Sequence, residues 1–94
     1  MRKFYIKANI EIESRMKRNK IAEQICAYLK YHTACEDVGC LIKDEELHID
    51  AVLESDEEPR ALMQAKHDFE HALVNLTSCD KWTIKKWTIV KLDR

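Results

Sequence analysis

The first predicted strand shows as a regular alternation of apolar and polar side chains over residues 3–13. Every second residue is apolar through five periods, and this pattern is typical of a strand with one buried face. A strand of this length can cross the full width of a sheet, so we expect it to be a central strand. Its apolar positions are Phe4, Ile6, Ala8, Ile10 and Ile12.

A first amphipathic helix is predicted over residues 16–35, where apolar side chains recur at helical spacing. Ser14 is the expected N-cap, because its hydroxyl can accept a hydrogen bond from a free backbone N–H group. Asp37 and Gly39 are expected to end the helix. Gly39 is the only glycine of the chain and is therefore the predicted site of a positive φ.

A second helix is predicted from residue 56 to residue 75 or 76. Its beginning is indicated by Ser55, by three acidic residues that suit the positive end of a helix, and by Pro59 near the first turn. The apolar side chains that follow, with Phe69 among them, recur on one side of the helix.

Three further strands are predicted at residues 40–43, 47–53 and 82–92, with a hairpin turn at the acidic residues 44–46. The element order βαββαβ predicts a ferredoxin-like α+β fold with a four-stranded antiparallel sheet and two helices on one face. The expected spatial order of the strands is fourth, first, third, second. Residues 1–94 are expected to form this single domain.

Composition narrows the classes of partner. The chain has 94 residues, of which 46% are hydrophobic and 35% charged, and 16 basic residues balance 17 acidic ones. Net charge therefore does not favour nucleic acid as a partner, and no apolar run is long enough to cross a membrane. No export signal is present, so we expect a cytoplasmic protein. A single glycine excludes glycine-rich phosphate loops, and no cofactor is expected.

Cysteine and histidine suggest a metal site only weakly. The cysteines, with Cys26 and Cys79 among them, are expected to be reduced thiols. His32, Cys35 and Cys40 surround a predicted turn and offer ligands that zinc accepts. Their spacing is not standard, and Cys79 is predicted at the opposite end of the fold. No metal site is therefore expected.

The second helix carries a pair of histidines, His67 and His71, four residues apart with Glu70 between them. The spacing allows metal binding, but two solvent-facing histidines are the simpler interpretation. Met63, His67, Glu70 and Val74 form one stripe of mixed character that a partner could use. No serine or cysteine has a recognisable nucleophile context, so no catalytic residue is assigned and an enzymatic role is the less favoured one.

A basic segment at the start of the first helix is a candidate anion site. Free N–H groups at a helix start can bind anions, and these side chains add positive charge. The alternative is that the acidic residues 44–46 neutralise the segment across a solvated surface. The basic residues are Arg15, Lys17, Arg18 and Lys20.

The face of the sheet without helices is the leading candidate for a partner interface. Strict alternation in the last strand places Trp87 on that face, where a solvated surface does not need large apolar groups. The alternative is a bulge at residues 85–86 that turns Trp87 toward the core. The expected interface residues are Tyr5, His48, Val52, Trp87 and Ile89.

These observations predict a small non-enzymatic protein-binding or regulatory module, such as an inhibitor or a subunit of a complex. Self-association as a homodimer through the open sheet face is the simplest form, because two-fold pairing is the commonest oligomer. The alternatives are a small-molecule-binding, anion-binding or enzymatic domain that uses residues 15–20, or a nucleic-acid-binding module.

Overall fold

The computed structural model describes residues 2–14, 17–75 and 79–92, with the backbone alone for Ser14, Arg18, Cys79 and Asp80. The sheet is antiparallel and has the order β2-β3-β1-β4. The predicted βαββαβ order, strand order and ferredoxin-like α+β architecture are confirmed. The elements are β1 (Arg2–Ser14), α1 (Arg18–His32), β2 (Glu36–Lys43), β3 (Glu46–Ser55), α2 (Glu58–Val74) and β4 (Cys79–Leu92).

The alternating residues of β1 form the middle of the core. Ile6 is opposite Ala51 of β3 and Ile89 of β4, and residues paired in this way lie on the same face of the sheet. Ile6 and Ile10 are completely buried. Burying a side chain of this size contributes about 1.5–3 kcal/mol. Both helices pack on this face, and Phe69 of α2 is completely buried there.

The first helix is shorter than predicted. It ends at His32, and Thr33 follows in an extended conformation while its hydroxyl donates a hydrogen bond to the Leu29 carbonyl oxygen. The N-cap is Lys17, which forms no side-chain cap hydrogen bond. Ser14 is instead the last residue of β1, so its prediction as N-cap was wrong. Residue 16, the predicted start, lies outside the described residues.

Gly39 lies inside β2 and its φ is not positive, so its predicted role in ending α1 was wrong. A β-carbon at this position would collide with the Asp50 carboxylate of the neighbouring strand, and this close approach explains the glycine. Between α1 and Gly39, the residue with a positive φ is Asp37, at 48°. Glu36 is opposite Val52 and Gly39 is opposite Asp50, so β2 contains one extra residue here and forms a bulge.

The second helix begins at Glu58, two residues later than predicted, and ends at Val74. Pro59 lies in its first turn, where the missing N–H group costs no hydrogen bond. Glu58 adds an acidic side chain to the positive end of the helix dipole. Neither helix in the described part of the chain is long and apolar enough to cross a bilayer.

The strand β4 contains a bulge that decides which side chains reach the core. Asn9 is opposite Lys86 and Ile10 is opposite Ile84, which leaves Lys85 as an extra residue. The extra residue restores the parity of the strand, so Trp87 lies on the helix-covered face. Its indole stacks on Phe69 with ring centroids 5.6 Å apart and an interplanar angle of 17°.

Placement of Trp87 and Ile89 on the helix-free face was therefore wrong, and the alternative with a bulge is confirmed. Ile89 is opposite Ile6 and packs against the core with Trp87. Thr88, Val90 and Leu92 occupy the helix-free face instead, since Val90 is opposite Tyr5.

The hairpin between β2 and β3 turns through Asp44 and Glu45, within the predicted acidic segment. Lys43 and Glu46 are directly paired, and the two residues between them have φ values of 51° and 65°. Two consecutive positive φ angles in a two-residue loop define a type I′ turn, which Asn-Gly or Asp-Gly normally supplies. A side chain in this region of φ costs free energy that glycine avoids.

We expect Glu45→Gly to raise the free energy of unfolding by about 0.5–1 kcal/mol, because glycine adopts the positive φ without steric cost. Equilibrium urea unfolding measures the change. The control Glu45→Ala removes the same carboxylate but keeps a β-carbon. Equal stability of the two variants would show that charge rather than backbone conformation limits this turn.

The position of Trp87 predicts different results for two apolar-to-acid substitutions in β4. Trp87→Glu should lower the free energy of unfolding by about 3 kcal/mol or more, because it removes an aromatic group from the core and introduces a carboxylate. Val90→Glu, on the helix-free face where Val90 is 49% exposed, should change it by about 0.5 kcal/mol. Thermal and urea unfolding measure the stability of both variants. Similar losses of unfolding free energy for the two would contradict the assignment of Trp87 and Val90 to opposite faces.

Candidate binding surfaces

The helix-free face of the sheet is covered largely by polar side chains that contact one another across strands. Lys85 Nζ lies 3.4 Å from Glu11 Oε2 and 3.5 Å from Glu46 Oε2. These carboxylates raise the pKa of Lys85. Tyr5 donates a hydrogen bond of 2.9 Å to Asp50 Oδ2. Burial and this carboxylate raise the pKa of the Tyr5 hydroxyl.

Of the five predicted interface residues, Tyr5, Val52 and His48 do lie on the helix-free face. Val52 is only 8% exposed. Val90 and Leu92 complete a small apolar strip with Tyr5 and Val52, and strict alternation had assigned them to the core. The sequence signal for the bulge was the spacing of three positions between Ile84 and Trp87, where a regular strand would have two or four. This bulge places Val90 and Leu92 on the helix-free face.

The predicted anion site is only partly described. Arg15 lies outside the described residues, and nothing is described of the Arg18 side chain. Lys17 and Lys20 are exposed, and neither forms an ion pair with another described residue. The proposed neutralisation by the acidic turn is not seen at these two lysines, because Glu46 contacts Lys85 instead.

The cysteines form two separate contacts rather than the predicted cluster. Cys40 is partly buried beside Cys26, and desolvation first, then this neighbouring thiol, raise the pKa of Cys40. Cys35 donates a hydrogen bond of 3.6 Å to Asp68 Oδ2, and Gln64 donates one of 2.9 Å to the other carboxylate oxygen. Burial is the largest cause that raises the pKa of Cys35 to about 11. High thiol pKa values make poor nucleophiles at neutral pH.

The histidine pair is exposed on α2, where the rings of His67 and His71 are in contact with centroids 4.2 Å apart and an interplanar angle of 38°. Met63 and Val74 of the same stripe are also exposed. Among the residues that the structure describes, no group of three histidine, cysteine or acidic side chains is placed to hold a metal ion.

A groove of about 570 Å³ lies between α1 and β2, called here the α1–β2 groove. Small side chains of α1 form one wall, and Tyr31, 82% exposed, is also part of it. Leu41 is 52% exposed on the edge strand. No pattern in the sequence predicted this site. The lining residues are Asn19, Ala22, Glu23, Cys26, Ala27, Lys30, Tyr31, Cys40, Leu41 and Ile42.

The two edges of the sheet differ in how they are protected. The outer edge of β4 carries the Lys85 bulge and four lysines along the strand, and both features discourage pairing with another strand. The edge of β2 also has a bulge, between Glu36 and Gly39, but all of its residues from Val38 to Ile42 are uncharged. Within the described part of the chain no element pairs with the outer side of β2. The less protected edge is therefore the one beside the α1–β2 groove.

Comparisons with known proteins add little to this geometry. No protein-family model matches the chain, and no curated protein matches it. Among solved structures, one described as "Crystal structure of PH0061" is similar with 11% sequence identity and a TM-score of 0.41. The match covers 96% of this chain and 53% of that one, so this chain spans about half the length of its structural neighbour.

The raised pKa of Cys35 predicts a loss of stability at alkaline pH. The folded state keeps a proton that the unfolded chain releases near pH 9, so the free energy of unfolding should fall as the pH rises from about 9 to about 11. Cys35→Ala should show a shallower decrease. Urea midpoints of both proteins across this range measure the decrease, and parallel curves would contradict the assignment, since the two proteins differ only at residue 35.

Proposed function

We propose that the chain is a non-enzymatic protein-binding module that accepts an extended polypeptide segment along the edge of β2, beside the α1–β2 groove. The observation that carries this proposal is the uncharged edge of β2, with which no described element pairs, next to the α1–β2 groove. Strand addition of this kind uses backbone hydrogen bonds for affinity and pockets for alternate side chains for specificity.

The backbone of β2 is oriented for such pairing. In a hairpin with a two-residue loop, the residues that flank the turn form a hydrogen-bonded pair, here Lys43 and Glu46. Since the pattern alternates, Val38, Cys40 and Ile42 direct their N–H and C=O groups to the free edge. The Val38 carbonyl oxygen accepts a thiol hydrogen bond from Cys26 at 3.8 Å, and a carbonyl oxygen has a second lone pair that can accept from a stronger donor.

The groove indicates the chemistry of the segment. Ala22, Cys26 and Ala27 leave space above β2 for every second side chain of an added strand. Apolar side chains of medium size suit these walls. Glu23 lines the half of the groove near the hairpin, and Lys30 lines the half near the start of β2. An added segment is favoured if it places a basic residue near Glu23 and an acidic residue near Lys30.

The other surfaces support this role less well. The apolar strip of the helix-free face is small without Trp87, and cross-strand ion pairs and the Tyr5–Asp50 hydrogen bond already engage many of its polar groups. For the anion site, two lysines of the basic segment remain as described candidates. Cys26, Cys35 and Cys40 are free thiols, which supports a proposed location in the reducing cytoplasm.

A matched pair of alanine substitutions tests the groove. Ala27 is exposed and lines the groove, whereas Ala34 is exposed in the connection between α1 and β2 and does not line it. Peptides selected from a random phage-displayed library against the intact domain should lose binding about tenfold or more with Ala27→Arg, because the long side chain occupies the groove. Titration calorimetry with a synthetic selected peptide measures the affinity.

Ala34→Arg should leave the affinity of the same peptide unchanged. Failure to select any peptide from the library would contradict the proposal. Equal binding to both variants would also contradict it, because the peptide would then occupy another surface. Far-ultraviolet circular dichroism checks that both variants keep the native helix content.

A further inference from the structure

We infer that the extended segment is β2 of a second copy of this chain, paired antiparallel about a two-fold axis at Cys40. This inference rests on the proposed function and names its partner. The pairing would join two four-stranded sheets into one continuous sheet and would close the α1–β2 groove of each copy with side chains from the other. Two-fold pairing needs a surface that complements itself, and β2 has one.

The charges along β2 reverse from one end to the other. Glu36 and Asp37 begin the strand, Lys43 ends it, and the residues between them are uncharged. Antiparallel pairing sets each acidic end beside the basic end of the other copy. Along the groove the charges run the other way, with Lys30 near the acidic start of β2 and Glu23 near its basic end. The same two-fold axis reverses this order in the other copy. Opposite charges across paired strands are favourable, and like charges are unfavourable.

The charges also select one register. In a continuous sheet, opposed residues lie on the same face, so the axis passes through a residue of β2. With the axis at Cys40, Asp37, which lies in the bulge between Glu36 and Gly39, comes opposite the partner's Lys43. An axis at Gly39 would place the acidic residues opposite apolar ones. An axis at Leu41 would place Asp37 opposite the partner's Glu45, which is repulsive.

The same register matches the shapes and hydrogen-bonding groups of the edge. Gly39 comes opposite the partner's Leu41, so the exposed leucine lies beside a residue without a side chain. Cys40 pairs with the partner's Cys40, and Val38 pairs with the partner's Ile42. These are the positions whose backbone groups face outward, and they supply about six hydrogen bonds across the axis. A short edge of this kind buries less area than a standard interface, so we expect a dissociation constant in about the micromolar range.

Charge reversal at the two ends of β2 tests the register. Asp37→Lys and Lys43→Glu should each dissociate the dimer, with the dissociation constant raised about tenfold, because each creates two repulsive contacts. An equimolar mixture of the two variants should dimerise as well as the unmodified chain, since both contacts become attractive again in the mixed pair. Sedimentation equilibrium from about 10 µM to about 1 mM, at low salt to limit screening, measures all four samples.

Lys91→Glu is the matched control, because it makes the same change at an exposed position of the other edge strand, and it should leave dimerisation unchanged. A dimer that survives both β2 variants, or a mixture that fails to recover, would overturn the register. Circular dichroism and thermal midpoints of each variant verify folding, and Asp37→Asn removes the charge with a residue that tolerates the positive φ. It should weaken the dimer less than Asp37→Lys does.

A monomer throughout the concentration range would overturn the inference of a second copy. Binding of library-selected peptides then decides the proposed function separately. If such peptides bind the monomer and lose affinity with Ala27→Arg, the edge and groove accept a segment of another protein. If no peptide binds the monomer, the proposed function fails together with the inference.

Discussion

The pleat of β1 is the constraint on which the other parts of the fold depend. This strand is paired along both sides, so the face on which each of its side chains lies also determines the face for its neighbours in β3 and β4. Phe4, Ile6 and Ile10 direct one face toward the helices and are fully or almost fully buried. Any partner strand must therefore present its apolar residues in phase with them, or add a residue to correct the phase.

The fold was predictable because the signals that define it are local. Alternation of period two in β1, helical spacing in α1 and α2, and acidic residues at the hairpin each depend on residues close in the sequence. Element order then restricts the topology to few choices. The predictions failed where a residue's role depends on a distant neighbour. Gly39 is explained by Asp50 of the next strand, and its solitary position in the sequence suggested a helix end.

The candidate site was less predictable for the same reason. An edge becomes visible only when the strand order is known, and the groove needs the relative position of α1 and β2. No alternation or spacing in the sequence connects Ala27 with Leu41. The error at Trp87 arose differently. A straight strand would direct Lys86 toward the core, and this conflict was visible in the sequence, but either a bulge or a long side chain that reaches solvent could remove it. Contact with Phe69 decides between them.

The Lys85 bulge also has a consequence for how this chain can diverge in evolution. Trp82 and Ile84 reach the core before the bulge, and Trp87 and Ile89 reach it afterwards. Loss of Lys85 would leave Ile84 and Trp87 two positions apart, which is the spacing of a regular strand, and both pairs would still lie on the helix-covered face. Loss of a residue between Trp87 and Ile89 would instead move one of these side chains to the helix-free face. The bulge is thus a place where the length of β4 can change among descendants without exchanging the two faces of the sheet.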